Sequence, residues 1–179
     1  KFSIGKVHKG GAKFDYEKAK WFNHEWIKKS DTARLKPDVI KVFLDKGVDV
    51  SNDVLEKIIP LLKERCTLLT DFFDQGSFFI IRPEAYDLPA VQPKWNDQKK
   101  TFFIEWAASL KDLQDWNFAT LENSFKEKAI ASDIKPGELL LPLRIMLVGG
   151  KFGPPAFDIA VILGKDETIG RIEAALDVF

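Results

Sequence analysis

Two glycines and a lysine stand together in RIMLVGGKFGPPAFDIA, residues 144–160, between two apolar runs. A Gly-Gly-Lys beside a helix is one way to cradle a phosphate, because backbone N–H groups and an ammonium converge there. A Walker-type cradle also needs glycine five positions before Gly150 and Ser or Thr after Lys151. Ile145 and Phe152 occupy those two places. The loop also follows an apparent helix rather than a strand, which removes a dinucleotide fingerprint. What remains is Arg144 near a helix end, Lys151 and Phe152 at a loop tip, and Pro154 and Pro155 starting the next helix rigidly. A guanidinium, an aromatic ring and a stiff apolar edge make a surface on which unstacked bases stack and hydrogen-bond. The same residues also suit a corner between two packed helices, and residue types alone leave both readings open.

Other chemistry is poorly served. Cys66 is the one cysteine. It lies on an apolar helical stripe, where a buried, inert thiol is the expected role. His8 and His24 have no acidic partner at ligand spacing, so no metal site is expected and both histidines read as surface or satisfied groups. Carboxylates such as Glu25 and Asp31 read as helix-surface charges. No catalytic residue is expected.

The elements that must position these groups are helical almost throughout. FDYEKAKWFNHEWIKK places Tyr16, Ala19, Phe22 and Trp26 on one face, with Asp15 as N-cap and a turn at Gly10 and Gly11 before it. A second pattern runs over 37–46, with Pro37 near its first turn and Gly47 as its stop. The longest pattern carries Leu55, Ile58, Ile59, Leu62, Cys66, Leu69 and Phe73 at spacings of three and four, is capped by Ser51 to Asp53, and ends at Gly76. Pro60 is expected to kink or split it. FFII at 78–81 reads as a buried apolar run rather than a strand. Three prolines over 83–93 mark an extended connector between two lobes. Five further helical patterns follow, two of them stopping at Gly149 and Gly164. The fold class is all-α and multihelical: a basic piece over 1–36, a first helical subdomain over 37–82 and a second over 83–179.

Composition is that of an ordinary globular chain, with 45% hydrophobic and 30% charged residues and zero formal net charge. The charge is uneven: residues 1–36 hold ten basic against four acidic residues. Such a segment meets a local anionic partner or is simply a solvated lysine-rich face. One cysteine excludes an intrachain disulfide. No apolar run approaches the ~18 residues that span a bilayer, and no signal peptide is visible.

Three stretches resemble one family. DIKPGELLLPLRIMLVGGKFGPPAFDIAVILGKDETIGRIEAAL is similar to the end of bacterial-type glutamyl-tRNA synthetases, through Pro-Leu-Arg at 142–144, Gly149, Pro154, Phe157 and Leu-Gly-Lys at 163–165. Val148 and Asp158 stand where the family usually has Thr and Glu. GAKFDYEKAKWFNHEWI resembles the segment leading into the family's anticodon-binding region, through Phe14, Asp15, Lys18, Trp21 and Asn23. LLKERCTLLTDFF resembles its Arg-x-x-Thr-Leu helix. The His-Ile-Gly-His-like and Lys-x-Ser-Lys motifs of the family's catalytic domain are not in the sequence. The resemblance therefore places the chain after the second motif, as the end of a stem-contact segment plus an anticodon-binding portion.

The resemblance implies an α-helical cage of two subdomains, tRNA(Glu) as partner, no DNA or membrane partner, a cytoplasmic monomer, and no cofactor in this portion. ATP and Mg²⁺ would belong to the catalytic domain of a glutamate–tRNA ligase. Carried over, Arg144 hydrogen-bonds an anticodon base, with Gly153, Pro154 and Ala156 as its wall. Arg65 is the second base-reading residue. Lys18, Lys20, Lys28 and Lys151 contact the tRNA backbone. The rival readings are an all-α protein-interaction module, which predicts a large exposed apolar patch, and a small helical enzyme.

Overall fold

The computed structural model describes residues 15–179; His8, the turn at Gly10 and Gly11, and Phe14 lie outside them. Among the described residues the elements are helices α1 (Tyr16–Lys29), α2 (Thr32–Asp45), α3 (Asn52–Leu62), α4 (Asp71–Gly76), α5 (Leu88–Val91), α6 (Asp97–Leu110), α7 (Phe118–Ala131), α8 (Pro136–Val148), α9 (Ala156–Leu163) and α10 (Lys165–Leu176). Short 3-10 turns lie at Lys63–Arg65, Ser77–Phe79 and Gln92–Lys94. No helix of the described residues is long and apolar enough to cross a membrane.

Side-chain caps set four of the helix starts. Asp15, Ser51, Asn96 and Asn117 each accept a hydrogen bond from the backbone N–H three residues on, satisfying donors that a helix start leaves orphaned. Three expectations need correction. Pro37 does not open its helix: α2 starts at Thr32 and Pro37 lies inside it. The pattern over 51–76 is not one element kinked at Pro60, since Pro60 lies within α3 and the break comes after Leu62. There, other side chains offer the backbone better partners. Asp71 Oδ2 accepts from Thr67 N at 2.7 Å and Leu68 N at 2.8 Å. Asn23 Nδ2 of α1 donates to the Thr67 carbonyl, and His24 Nδ1 lies 2.9 Å from the Cys66 carbonyl. The connector over 83–93 is not extended throughout either: it holds α5 and the Gln92–Lys94 turn, each with proline near its start. The run at 78–81 forms no strand, and Phe78 and Phe79 are buried as expected.

Two groups of helices share one continuous hydrophobic core. In the first, α2 packs on α3 and α4, burying Leu35, Val39, Phe43, Leu55, Ile59, Leu62 and Phe72. In the second, α10 packs on α6 and α8, and α7 on α9. Its centre is aromatic: Phe125 meets Trp106, Phe102 and Phe157 edge-on at ring separations of 4.9, 5.3 and 5.3 Å, the arrangement that ring quadrupoles favour. The Phe78–Phe79 turn and α3 both reach α9, which brings the end of the Lys63–Arg65 turn towards the loop between α8 and α9.

Candidate nucleic-acid interface

Helix α8 carries Arg144 to this junction. Leu139, Leu143, Met146 and Leu147 bury its inner face, while Leu140, Leu141 and Arg144 stand at the surface or half-buried. The helix stops at Gly149, whose φ of 82° is left-handed. Its N–H donates to the Ile145 carbonyl at 2.7 Å, and its own carbonyl accepts from Asp87 N at 2.8 Å. A methyl group at Gly149 would lie 2.6 Å from the Ala85 carbonyl oxygen, so this close approach requires glycine. Gly153 repeats the device, with φ 92° and the Phe78 ring where a side chain would go.

The loop they bound is held rather than free. Arg144 Nη1 donates to the carbonyls of Phe152 at 3.1 Å and Gly153 at 2.9 Å, and also to that of Pro154. Lys151 Nζ pairs with Asp87 at 3.3 Å, and the Phe152 ring lies 5.9 Å from the Phe78 ring. The tip is thus bonded to its surroundings from both sides. The Nε and Nη2 groups of Arg144 make no hydrogen bond to another described residue, which leaves donors to offer outwards.

Arg144 lines a cleft of about 380 Å³ together with Phe118, Glu122, Leu140, Leu141, and the start of α9 at Pro155 and Ala156. Phe118 is 40% and Leu140 41% exposed on its walls. Apolar walls with one guanidinium and one carboxylate suit a flat, partly polar group such as a base, stacked on its faces and hydrogen-bonded on its edge. Ala156 lines this cleft; Gly153 and Pro154 do not, and are buried with their carbonyls bound by Arg144. The exposed part of the wall is Pro155. Phe118, Leu140 and Leu141 were missed in the sequence because each sits where an apolar residue is ordinarily core. The all-round apolar character of LLLPL at 139–143 is the one signal that some of these side chains are left over.

Arg65 ends the Lys63–Arg65 turn and is exposed. It makes no ion pair among the described residues. Burial, and then the charge of Arg65, hold the Arg144 guanidinium below its usual value. The two arginines, 79 positions apart by their numbers, thus feel each other across the junction, and no carboxylate is bonded to either. A half-buried guanidinium with no carboxylate bonded to it favours an anionic or acceptor-rich partner.

The lysines are differently placed. Lys18, Lys20 and Lys28 all stand on exposed positions of α1. Lys18 lies 6.0 Å from the Phe22 ring centre, Lys20 pairs with Glu17 at 3.2 Å, and Lys28 with Glu64 at 3.4 Å. Exposed pairs of this kind contribute about 0–1 kcal/mol, so a phosphate can replace the carboxylate at little cost. Helix α1 also carries exposed Tyr16, Trp21, Phe22 and Trp26. Cys66 is buried and its thiol is pushed up to about 12 by burial. His24 is satisfied by the Cys66 carbonyl. Among the described residues no group of His, Cys, Asp and Glu is arranged to hold a metal ion.

Residues 17–176 match the family described as the anticodon binding domain. The chain is 36% identical over 175 residues to a glutamate–tRNA ligase of Flavobacterium johnsoniae, and 34% identical over 177 residues to one of Porphyromonas gingivalis. These alignments cover 98% and 99% of the chain but 35% of each relative, so the chain spans about a third of the length of the curated relatives it matches. A crystal structure of a glutamate tRNA ligase from Elizabethkingia meningosepticum superposes with a TM-score of 0.87 at 35% identity, over 98% of this chain and 35% of that one.

Proposed function

We propose that this chain, which belongs to the anticodon-binding domain family, recognises unstacked anticodon bases of tRNA(Glu) as part of a cytoplasmic, monomeric glutamate–tRNA ligase. The observation that carries this reading is Arg144 lining an apolar cleft, clamping its loop through Nη1 and bonded to no carboxylate. Arg144 offers Nε and Nη2 to a base edge while Nη1 holds the loop. Phe118, Leu140, Leu141 and Pro155 supply apolar faces for stacking. Arg65 reads a neighbouring base or meets its phosphate. The lysines of α1 and Lys151 position the RNA backbone without reading sequence. In this reading the chain itself binds neither ATP nor Mg²⁺. Those belong to a catalytic part of the ligase, whose acceptor-end chemistry the anticodon grip serves by fixing the tRNA in register.

The test is a titration of the chain with tRNA for glutamate and with tRNA for glutamine. Tighter binding of the first, weakening steeply with salt as released counterions require, supports the reading. Absence of binding at low salt removes it. A second reading, an all-α protein-interaction module, is favoured by the exposed aromatic face of α1, and that same absence of tRNA binding would leave it standing.

A further inference from the structure

The supports of the loop that Arg144 clamps are tied together by a second arginine that the function above does not use. Arg171 of α10 is 1% exposed. Its Nη1 donates to the Phe78 carbonyl at 2.7 Å and to the Leu147 carbonyl at 2.7 Å. These acceptors lie on elements far apart in sequence: the Ser77–Phe79 turn and the last turn of α8. Its Nε donates to Glu167 Oε1 at 2.7 Å. Glu167 in turn is held by Arg82, which donates to it from Nε at 3.0 Å and from Nη2 at 2.7 Å.

Both carbonyls matter to the loop. Leu147 lies one turn beyond Arg144 on α8, and its carbonyl is among those a helix end leaves without an intrahelical partner. Phe78 presents its ring to the underside of the loop, 5.9 Å from the Phe152 ring and against Gly153. One nitrogen of Arg171 therefore fixes where the end of α8 sits relative to the aromatic floor of the loop. Arg144 can bond three successive loop carbonyls only if those two supports are in register. A guanidinium taken wholly out of water is expensive unless it is paired and hydrogen-bonded, and here Glu167 on Nε and two carbonyls on Nη1 offset that cost.

We propose that Arg171 is a positioning residue for Arg144: by tying Phe78 to Leu147 it holds the 149–155 loop where Arg144 can clamp it and still present Nε and Nη2 to the cleft. Arg82 and Glu167 hold Arg171 in the rotamer that does this. A lysine at 171 keeps the charge but lacks the planar fork that serves carboxylate and carbonyls together. The functional half of the proposal rests on the tRNA reading above; the positional half does not.

The experiment makes Arg171→Lys and Glu167→Gln in the chain and follows helical circular dichroism, amide exchange and tRNA(Glu) affinity. The reporters are the amides of Gly149 and Asp87, both hydrogen-bonded at the base of the loop. Arg171→Lys is expected to speed their exchange about tenfold while amides in α2 and α3 keep their protection, as a local opening does. Binding of tRNA(Glu) is expected to weaken about tenfold, with no further loss when Arg171→Lys is added to Arg144→Ala, because the two act as one unit. If Arg171→Lys fails to fold, Glu167→Gln decides the matter with the same signature at smaller amplitude. Unchanged exchange at Gly149 and Asp87 in a folded variant overturns the proposal, and so do losses that simply multiply in the Arg144→Ala background. If the parent chain binds no tRNA, the anticodon reading fails, while the exchange result still decides whether Arg171 positions the loop.

Discussion

Arg144 donates from Nη1 to the carbonyl of Gly153 at 2.9 Å, nine residues along the chain. That bond, with its companions to Phe152 and Pro154, gives one side chain two tasks: shaping the loop, and facing a cleft with the donors left over.

Replacing Arg144 should therefore harm more than charge. Arg144→Ala is expected to weaken tRNA binding by about 1.5–3 kcal/mol, the range of a charge-assisted contact. Arg144→Lys should recover little of this, because an ammonium cannot span three carbonyls and a base edge at once. Full recovery by lysine, read from a binding isotherm, would show that only the charge is needed.

Arg65 separates binding from stability. It is exposed and bonded to no acid among the described residues, so Arg65→Ala should shift stability by no more than about 0.5 kcal/mol. By analogy with bidentate base readout it should lose about 1–3 kcal/mol of tRNA affinity. Thermal melts and titrations on the same preparation check both halves.

Gly149→Ala should destabilise the fold by about 2 kcal/mol, since its φ of 82° is left-handed and the new methyl would meet the Ala85 carbonyl. Chemical denaturation measures the loss. Gly137, which has open space around it, is the control position for the same substitution.

Acid should loosen the Arg82–Glu167–Arg171 network. Hydrogen bonding from Arg82 first, and then from Arg171, holds the Glu167 carboxyl below its ordinary value despite its burial. A carboxyl depressed in the folded state stabilises above its unfolded value, and that contribution is lost as pH falls through the folded one. The melting temperature of the parent should fall more than that of Glu167→Gln between pH about 5 and about 3. Parallel curves would mean that the network contributes nothing.

Cys66 should be silent. Its thiol is pushed up to about 12 by burial, with Asp71 adding to the shift, so near pH about 8, where an ordinary thiol is partly ionised, it stays protonated. A thiol reagent should label it only as fast as the chain unfolds; immediate labelling of the native chain would contradict its burial.

Much of this was legible in the sequence, and the remainder is instructive. Helical periodicity and capping residues such as Asp15 and Ser51 place helix starts because the determinants are local. The break after Leu62 is not local: Asn23 and His24 reach from α1 to take the Thr67 and Cys66 carbonyls, which no period of three or four reveals. Arg144 and the glycines of its loop stand out by residue type. Its clamp on the loop carbonyls does not, since Gly153 and Pro154 look like contact residues until their carbonyls are seen turned inward. Arg171 gives no sequence signal at all, because a basic residue in KDETIGRIEAAL reads as solvated surface, yet it is buried.

The central claim is that this chain reads anticodon bases. Its most direct test is a pair of titrations at one salt concentration, with tRNA(Glu) and with the same tRNA carrying replaced anticodon bases. The account predicts that the replacements cost at least about tenfold in affinity, and that this difference disappears in Arg144→Ala. Equal affinity of the parent chain for the two tRNAs would contradict it.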